Sequence, residues 1–322
     1  MGKDSKGIKN ALATLEKRFG EKVVMRMSDK GDAPTNSSGR DDLDIALGGG
    51  YGEGKIIEIY AESGSGKTGL ALEGAKVIQE SGGKVAFIDM EHALNTDYCE
   101  QVGVNIDDLY VAQPAYGEMA FETIRALINS GEIDLIIVDS VASMVPKAEL
   151  EGESGQAFIA LQARMMSQGM KLITGAANSA GCTVIFINQL RKTIVMYGPT
   201  ETTSGGKALK FYATQRLEIK NRGKIKEGDQ VIGFKQEINI VKNKIAPPFK
   251  KVSYDLIYGK GIDADKGFVD ALLFEGILVK AGSYIRYDGS NICQGMKNLR
   301  SALDDNPELV EELKIKLEEA KK

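Results

Sequence analysis

Apolar positions along the chain follow two patterns, short continuous runs and runs with helical spacing, and the two alternate. The continuous runs are typical of buried strands, and they are Ile56 to Tyr60, Val85 to Asp89, Leu109 to Val111, Leu135 to Asp139 and Thr183 to Asn188. Helical spacing occurs between them, at Gly66 to Gln79, Glu118 to Asn129 and Ala157 to Ala177. The alternation predicts an α/β fold with a mostly parallel, twisted sheet and helices on both faces.

Beyond Gly205 the pattern changes, because strand-like segments follow one another without helices between them. These segments are Gln215 to Lys220, Gly233 to Lys242 and Ser253 to Tyr258. They predict antiparallel strands that extend the same sheet. After about Gly261 a small α+β module begins, and it ends in a charged helix from Pro307 to Ala320.

An amphipathic pattern lies near the N-terminus, where apolar residues recur at helical spacing at Ile8, Leu12, Leu15 and Phe19. The polar stretch 28–40 that follows contains glycines and a proline, a composition typical of a tether. The helix packs either on its own domain or on a neighbouring subunit, and the pattern alone leaves both open. The predicted organisation is a helix and tether over 1–40, a core over 41–260 and a small C-terminal domain over 261–322.

The segment between the first predicted strand and helix, AESGSGKT, fits the phosphate-binding loop pattern. Its residues are Ala61, Glu62, Ser63, Gly64, Ser65, Gly66, Lys67 and Thr68. Small residues let backbone N–H groups converge on phosphate oxygens, Lys67 adds positive charge near the outer phosphates, and the Thr68 hydroxyl can bind magnesium. Ala61 stands where many such loops have glycine, so we expect a negative φ there. The segment predicts a nucleotide site.

Polar residues follow three other predicted strands at the edge where ligands of open sheets bind. Asp139 is either a magnesium-associated carboxylate or a simple cap. Glu91 is the candidate to orient the attacking water, with an exposed helix-start glutamate as the alternative. Gln189 can hydrogen-bond a terminal phosphate. For His92, the single histidine, we expect a structural role, since phosphoryl transfer does not need one.

The distribution of charge is more informative than the net charge of -4. From Leu190 to Lys251 there are 14 Lys and Arg against 5 Asp and Glu, a local charge of +9, which leaves -13 elsewhere. Such a basic stretch indicates one anionic partner surface. Its first part, with Arg191, Lys192 and Ile194, could contact phosphates and wedge between bases.

Three widely spaced cysteines and the absence of an apolar leader or membrane-length run are typical of a reduced, cytoplasmic protein.

Several longer stretches occur together and in order: FIDMEHAL (87–94), DSVASMVPKAELEGE (139–153), ARMMSQ (163–168), IFINQLR (185–191), ETTSGGKALKFYA (201–213) and VKNKIAPPFK (241–250). Over nearly its whole length the chain resembles the bacterial RecA recombinases. The resemblance implies a P-loop NTPase core of RecA type that uses ATP and Mg2+. It further implies a helical filament on single-stranded DNA that pairs homologous double-stranded DNA and exchanges strands in recombination and repair.

The resemblance also assigns roles in ATP hydrolysis. In these roles Glu91 is the catalytic glutamate, Asp139 the magnesium-associated aspartate and Gln189 the γ-phosphate sensor. The residues implied to pack against the adenine are Asn95, Tyr98 and Tyr258. The resemblance further implies that Lys242 and Lys244 reach the ATP of the neighbouring subunit. Cations supplied by a neighbour would make hydrolysis depend on assembly.

Two DNA-binding loops are implied, at about Glu151 to Ala160 and Leu190 to Ser204. The implied DNA-binding residues are basic (Arg164, Lys171, Arg191), apolar and inserting (Ile159, Ile194), or glycines at the end of the second loop (Gly205, Gly206). The N-terminal helix matches a subunit-docking element. Further partners of such filaments are single-strand binding protein, loading factors and a self-cleaving repressor, and no membrane is expected.

The chain departs from the family pattern at several points. Lys171 and Asn95 are not the usual residues, the second loop is one residue shorter, and Ala61 and Glu62 replace Gly-Pro. The chain ends in LEEAKK, without an acidic tail, so we expect less autoinhibition of DNA uptake.

Two alternative functions use the same fold: a scaffold whose assembly is switched by nucleotide, and a hexameric DNA motor.

Overall fold

The computed structural model describes residues 6–20, 24, 33–152, 159–192 and 201–320. It divides into two compact units, residues 1–34 and 35–322. The first unit contains helix α1 (Lys6–Phe19), and none of the residues of α1 is buried.

The second unit contains the sheets and the remaining helices. The strands are β1 (Thr35–Asn36), β2 (Tyr51–Gly52), β3 (Ile56–Ala61), β4 (Val85–Asp89), β5 (Leu109–Ala112), β6 (Leu135–Asp139), β7 (Thr183–Lys192), β8 (Glu201–Thr203), β9 (Gln215–Glu227), β10 (Gln230–Asn243), β11 (Lys251–Ile257), β12 (Gly261–Ile262), β13 (Leu278–Ala281), β14 (Tyr284–Tyr287) and β15 (Ser290–Gln294). The helices are α2 (Asp41–Leu47), α3 (Lys67–Glu80), α4 (Thr96–Val102), α5 (Gly117–Ser130), α6 (Lys147–Leu150), α7 (Ile159–Ala180), α8 (Ala208–Tyr212), α9 (Ala264–Phe274), α10 (Met296–Asp304) and α11 (Pro307–Ala320).

The main sheet has the strand order β12-β11-β10-β9-β3-β7-β6-β4-β5, with β8 paired to β7. Strands β3, β7, β6, β4 and β5 run parallel, and β9 runs parallel to β3. Strands β10, β11 and β12 continue the sheet in antiparallel pairs. The mostly parallel sheet and its antiparallel extension, predicted from the two kinds of apolar pattern, are therefore confirmed.

Helices cover both faces of the sheet, and alternate residues of each strand enter opposite cores. Ile57 and Ile59 of β3 join one core, which includes the apolar face of α3, whereas Ile56 joins the other. The apolar face of α3 is buried at Leu70, Ala71, Ala75 and Ile78. This double coverage explains why the parallel strands are continuously apolar.

The C-terminal part of the second unit has its own three-stranded antiparallel sheet, with the order β13-β14-β15. Leu272, Leu278, Ile285 and Leu313 belong to a third apolar core between this sheet and helices α9 to α11. The predicted helix from Pro307 to Ala320 is observed with those bounds.

One predicted loop has more regular structure than expected. The segment Leu190 to Ser204 begins as the end of β7 and finishes as β8, and Leu190 pairs with Thr203 and Lys192 with Glu201. Two consecutive threonines, Thr202 and Thr203, favour the extended conformation that this pairing needs. Residues 193–200, which join the two strands, lie outside the described part of the chain.

Candidate active site

The phosphate-loop sequence connects the end of β3 to the start of α3. Gly64 and Gly66 adopt φ of 72° and 77°, a left-handed conformation that favours glycine. Ala61 pairs with Gln189 and Ile219 within the sheet and is absent from the residues with positive φ, as its alanine side chain requires. Helix α3 starts after Gly66, where no side chain of the described residues caps it, so first-turn N–H groups are left to bind an anion.

Lys67 is almost fully buried beside this loop. Its Nζ donates to the carbonyl oxygen of Glu62 at 2.9 Å, and the Ser65 hydroxyl donates to the same oxygen at 2.9 Å. Burial lowers the pKa of Lys67, and the carboxylates of Asp139 and Glu91 act in the opposite direction. The Glu62 carbonyl therefore fixes two side chains of the loop, those of Lys67 and Ser65.

Thr68 and Asp139 meet across the sheet edge, although 71 positions of sequence separate them. The Thr68 hydroxyl donates to Asp139 Oδ2 at 2.6 Å. The pKa of Asp139 is raised to about 6, mainly by burial and also by the charge of Glu91, while the Thr68 hydrogen bond acts in the opposite direction. A hydroxyl beside an incompletely compensated carboxylate is a donor set suited to a hydrated Mg2+.

The Glu91 carboxylate is held by donors from two other strand ends. Its Oε1 accepts from the Ser140 hydroxyl at 2.6 Å and from Gln189 Nε2 at 3.1 Å. The turn that carries Glu91 is fixed by Asp89, which accepts from the backbone N–H of Ala93 at 3.2 Å. Asp89 also accepts from Leu94 N and from the side-chain amide of Gln113. Glu91 is thus exposed on its outer side but oriented towards the loop.

These groups line one open cavity of about 360 Å³. Its lining consists of the loop residues 63–69 together with Glu91, Tyr98, Gln101, Asp139, Gln189, Leu256, Ile257, Tyr258, Gly259 and Gly261. Of the three predicted adenine contacts, Tyr98 and Tyr258 lie in this lining and Asn95 does not. Asn95 caps α4 instead, since its side chain accepts from Tyr98 N at 2.9 Å.

Lys242 and Lys244 are absent from this lining. Lys242 Nζ donates to the carbonyl oxygens of Lys210 at 2.9 Å and Phe211 at 3.0 Å, at the end of α8. Burial, together with the positive charges of Lys244 and Arg216, lowers the pKa of Lys242 to about 8. Within one chain, therefore, these two cations do not reach the cavity.

The sequence matches known families along nearly all of its length. Residues 6–263 match the RecA N-terminal domain and residues 268–322 match the RecA C-terminal domain. The chain belongs to the RecA family.

Curated relatives lead to the same family. A Protein RecA from Nocardioides sp. is 48% identical over 320 residues, which cover 98% of this chain and 91% of the relative. The Protein RecA of Streptomyces venezuelae is 46% identical over 318 residues, with 98% and 84% coverage. That of Corynebacterium glutamicum is 47% identical over 316 residues, with 97% and 84% coverage.

RecA membership confirms the predicted family, fold and activity. The protein is a DNA-dependent ATPase and homologous recombinase that binds DNA and assembles into filaments. The scaffold and ring-motor alternatives are not favoured by these matches.

The predicted DNA-binding residues of this RecA-family chain are placed as far as the described residues allow. Arg164 and Lys171 are exposed on α7, seven positions apart and therefore on one side of the helix. Arg191 is exposed near the end of β7. Ile194 lies outside the described residues, as do 153–158 of the first loop, and the side chain of Ile159 is likewise not described.

Gly205 and Gly206 follow the second predicted DNA-binding loop. They lie close to helix α7 and to the turn after β6. A Cβ at Gly205 would lie 2.8 Å from Val141 Cγ1, and one at Gly206 would lie 2.8 Å from the Cβ of Ala163. Both glycines also have positive φ, of 82° and 78°. They therefore allow the chain to pass directly over α7 and the turn after β6.

Sequence reasoning missed Ser140 and Gln162. Ser140 directly follows the candidate aspartate, so its hydroxyl, next to a carboxylate at a strand end, could have indicated a role in the site. Nothing in the sequence indicated a role for Gln162, because its side-chain amide donates to backbone carbonyls that are distant in the sequence. His92 lies outside the cavity lining, with φ of 53° in the turn after β4.

None of the described helices combines the length and the apolarity that crossing a membrane would need.

Proposed function

We propose that ATP with Mg2+ binds in the cavity at the ends of β3, β4, β6 and β7, and that filament assembly on single-stranded DNA completes this site with Lys242 and Lys244 of a neighbouring subunit. The observation that carries the proposal is that Lys67, Thr68, Asp139, Glu91 and Gln189 all line one cavity. Together they supply a phosphate cradle, a metal position, a base for water and a donor for the terminal phosphate.

The loop is suited to a polyphosphate. The free N–H groups at the start of α3 and the Lys67 ammonium supply positive potential, and the Glu62 carbonyl gives up Lys67 to the phosphates. When bound, Mg2+ would be held by the Thr68 hydroxyl and, through water, by Asp139, and it would neutralise charge on the phosphates. Tyr98 and Tyr258 supply apolar surface for the base.

Glu91 orients the attacking water and accepts its proton. In the structure, its Oε1 accepts hydrogen bonds from both Ser140 and Gln189. When the Gln189 amide turns towards a terminal phosphate, Glu91 loses one of its two donors and that oxygen becomes available to water. Gln189 precedes the second DNA loop in β7, so the same movement reaches the DNA-binding segment.

The DNA-binding surface acts without sequence preference. Exposed Arg164, Lys171 and Arg191 contact phosphates, while apolar loop residues separate base stacks. Recognition of sequence is then left to base pairing between the bound strand and an incoming duplex. Such a filament works in the cytoplasm alongside single-strand binding protein, loading factors and a self-cleaving repressor.

The test of the site is ATP-driven strand exchange between homologous DNAs, together with ATPase rates, for the intact chain, Lys67→Ala and Glu91→Gln. We expect Lys67→Ala to lose ATP binding, and Glu91→Gln to keep ATP and DNA binding while hydrolysis falls by about 100-fold or more. Glu122→Gln on α5 is a matched control, since this exposed glutamate lies outside the cavity lining. Unchanged hydrolysis in Glu91→Gln would show that another group orients the water.

Completion of the site in trans is tested by mixing inactive subunits. Lys242→Ala subunits keep Glu91, and Glu91→Gln subunits keep Lys242. If the cations act across the interface, a random mixture should regain ATPase at about a quarter of its interfaces. A mixture as inactive as either variant alone would place Lys242 in the site of its own subunit.

A further inference from the structure

We propose that Gln162 and Ser140 are positioning residues that connect the DNA-loop helix α7 to the carboxylate of Glu91. The inference rests on the proposed role of Glu91 in orienting water. It adds a connection through the turn after β6, separate from the path through Gln189.

Ser140 is the direct link to Glu91. The residue is 1% exposed, and its hydroxyl donates to Glu91 Oε1 at 2.6 Å. A buried hydroxyl has few alternative acceptors, so its position fixes where the carboxylate oxygen lies. Once Gln189 turns to a terminal phosphate, Ser140 is the remaining donor to this oxygen among the described contacts.

The turn after Ser140 is anchored to α7 by one side chain. Residues Val141–Ser143 form a short 3-10 turn, and Val141 and Met144 are fully buried. Gln162 Nε2 donates to the carbonyl oxygens of both Val141 and Met144, each at 3.2 Å. One amide group therefore satisfies both ends of the turn, and a shift of the first helical turn of α7 is transmitted to the residues next to Ser140.

The same turn also contacts the end of the second DNA loop. Gly205 packs so closely on Val141 that a methyl group would lie 2.8 Å from its Cγ1. Gln162 lies two positions before Arg164, and Gly205 lies just after β8. The segments that flank both DNA loops thus meet on the turn that holds Ser140. DNA that orders either segment would fix the Ser140 hydroxyl, and through it Glu91.

Gln162→Ala tests the anchor, with Gln168→Ala as the matched control because Gln168 is an exposed glutamine on the same helix. ATPase is measured with and without single-stranded DNA, together with DNA affinity and the KM for ATP. We expect Gln162→Ala to lower the DNA-stimulated kcat by about three- to tenfold, with unchanged DNA affinity and KM. Gln168→Ala should behave as the intact chain. Full DNA stimulation in Gln162→Ala would overturn the inference.

Ser140→Ala tests the link to Glu91 in a double-mutant cycle. Alone, it should lower kcat by about tenfold without raising the KM for ATP. In the Glu91→Gln background it should have no further effect, because it acts through that carboxylate. Additive losses would show a general structural role and overturn the inference. An unchanged rate in Glu91→Gln alone would instead contradict the proposed function, so the two failures are distinguishable.

Discussion

The Thr68 hydroxyl donates a hydrogen bond of 2.6 Å to Asp139 Oδ2, which brings the two predicted magnesium positions into direct contact. One hydroxyl does not offset the burial of the carboxylate, and the pKa of Asp139 is raised to about 6. The protein itself therefore compensates the charge of Asp139 incompletely at neutral pH.

Asp139→Asn should stabilise the nucleotide-free protein at neutral pH. The pKa of Asp139 in the folded protein, about 6, lies above the ordinary aspartate value of 3.8, so between these two pH values the folded protein binds a proton that the unfolded chain does not. Stability from this group is present at low pH and is lost as pH rises through about 6. Removing the charge should raise the free energy of unfolding by about 1–3 kcal/mol at pH 7 and have little effect near pH 4. Urea unfolding at both values measures this.

Asp229→Asn is a suitable control for that measurement, because Asp229 is exposed in the turn between β9 and β10. It should change the free energy of unfolding little at either pH. If Asp139→Asn destabilised the protein at pH 7 as well, the Thr68 contact would outweigh the desolvation of the carboxylate.

Much of this site could be predicted from the sequence because its residues stand at strand ends. The register places Ala61 beside Gln189 and Asp89 beside Asp139, so residues far apart in sequence meet at one edge. Alternating apolar segments determine that arrangement. Contacts with backbone carbonyls have no such pattern, and for this reason the attachment of Lys67 to Glu62 could not be predicted.

The limits of sequence reasoning are clearest at Asn95 and Lys242. Family resemblance places both near ATP, yet in a single chain Asn95 caps α4 and Lys242 binds carbonyls at the end of α8. Local backbone groups compete for polar side chains, and the outcome depends on three-dimensional distances. A role supplied by a neighbouring subunit also leaves no trace in the packing of one chain.

Gly205→Ala should damage the DNA-binding segment more than an ordinary glycine substitution. The new methyl group would lie 2.8 Å from Val141 Cγ1, and the φ of 82° is unfavourable for alanine. Gly228→Ala is the matched control, with φ of 59° but no atom within 4 Å of the added Cβ. We expect a loss of about 1 kcal/mol in the control and about 2–4 kcal/mol at Gly205 in urea unfolding.

The substitutions Gly205→Ala and Gly228→Ala should also differ in their effect on DNA binding and ATPase. Gly205→Ala should weaken single-stranded DNA binding and DNA-stimulated ATPase, while Gly228→Ala keeps both near the level of the intact chain. Equal effects of the two substitutions would mean that close packing on Val141 is unimportant.

Filament assembly, and with it the DNA-stimulated ATPase, should weaken as pH rises through about 8, because above that value Lys242 must take up a proton before it can act as a cation at the neighbour's site. Burial and the neighbouring charges of Lys244 and Arg216 lower the pKa of Lys242 to about 8, so an isolated subunit loses this cation above that value. The guanidinium of Lys242→Arg stays charged, so its DNA-stimulated ATPase should change less between about pH 7 and pH 9. Parallel pH profiles for the two proteins would show that Lys242 titration does not limit assembly.

Removal of residues 1–34 should abolish filament formation and leave the rest of the chain folded. The three apolar cores contain described residues from Leu43 onward, so the deletion takes nothing from them. Residues 1–34 form a separate compact unit, whose helix exposes Ile8 and Phe19, each 56% exposed. An amphipathic helix with these side chains exposed is suited to docking on a neighbouring subunit.

We expect the truncated chain to keep its melting temperature within about 3 °C. It should bind ATP as a monomer in sedimentation experiments and show no DNA-stimulated ATPase. Phe19→Ala should weaken assembly in the same direction, and filaments of normal length from the truncated chain would exclude a docking role for α1.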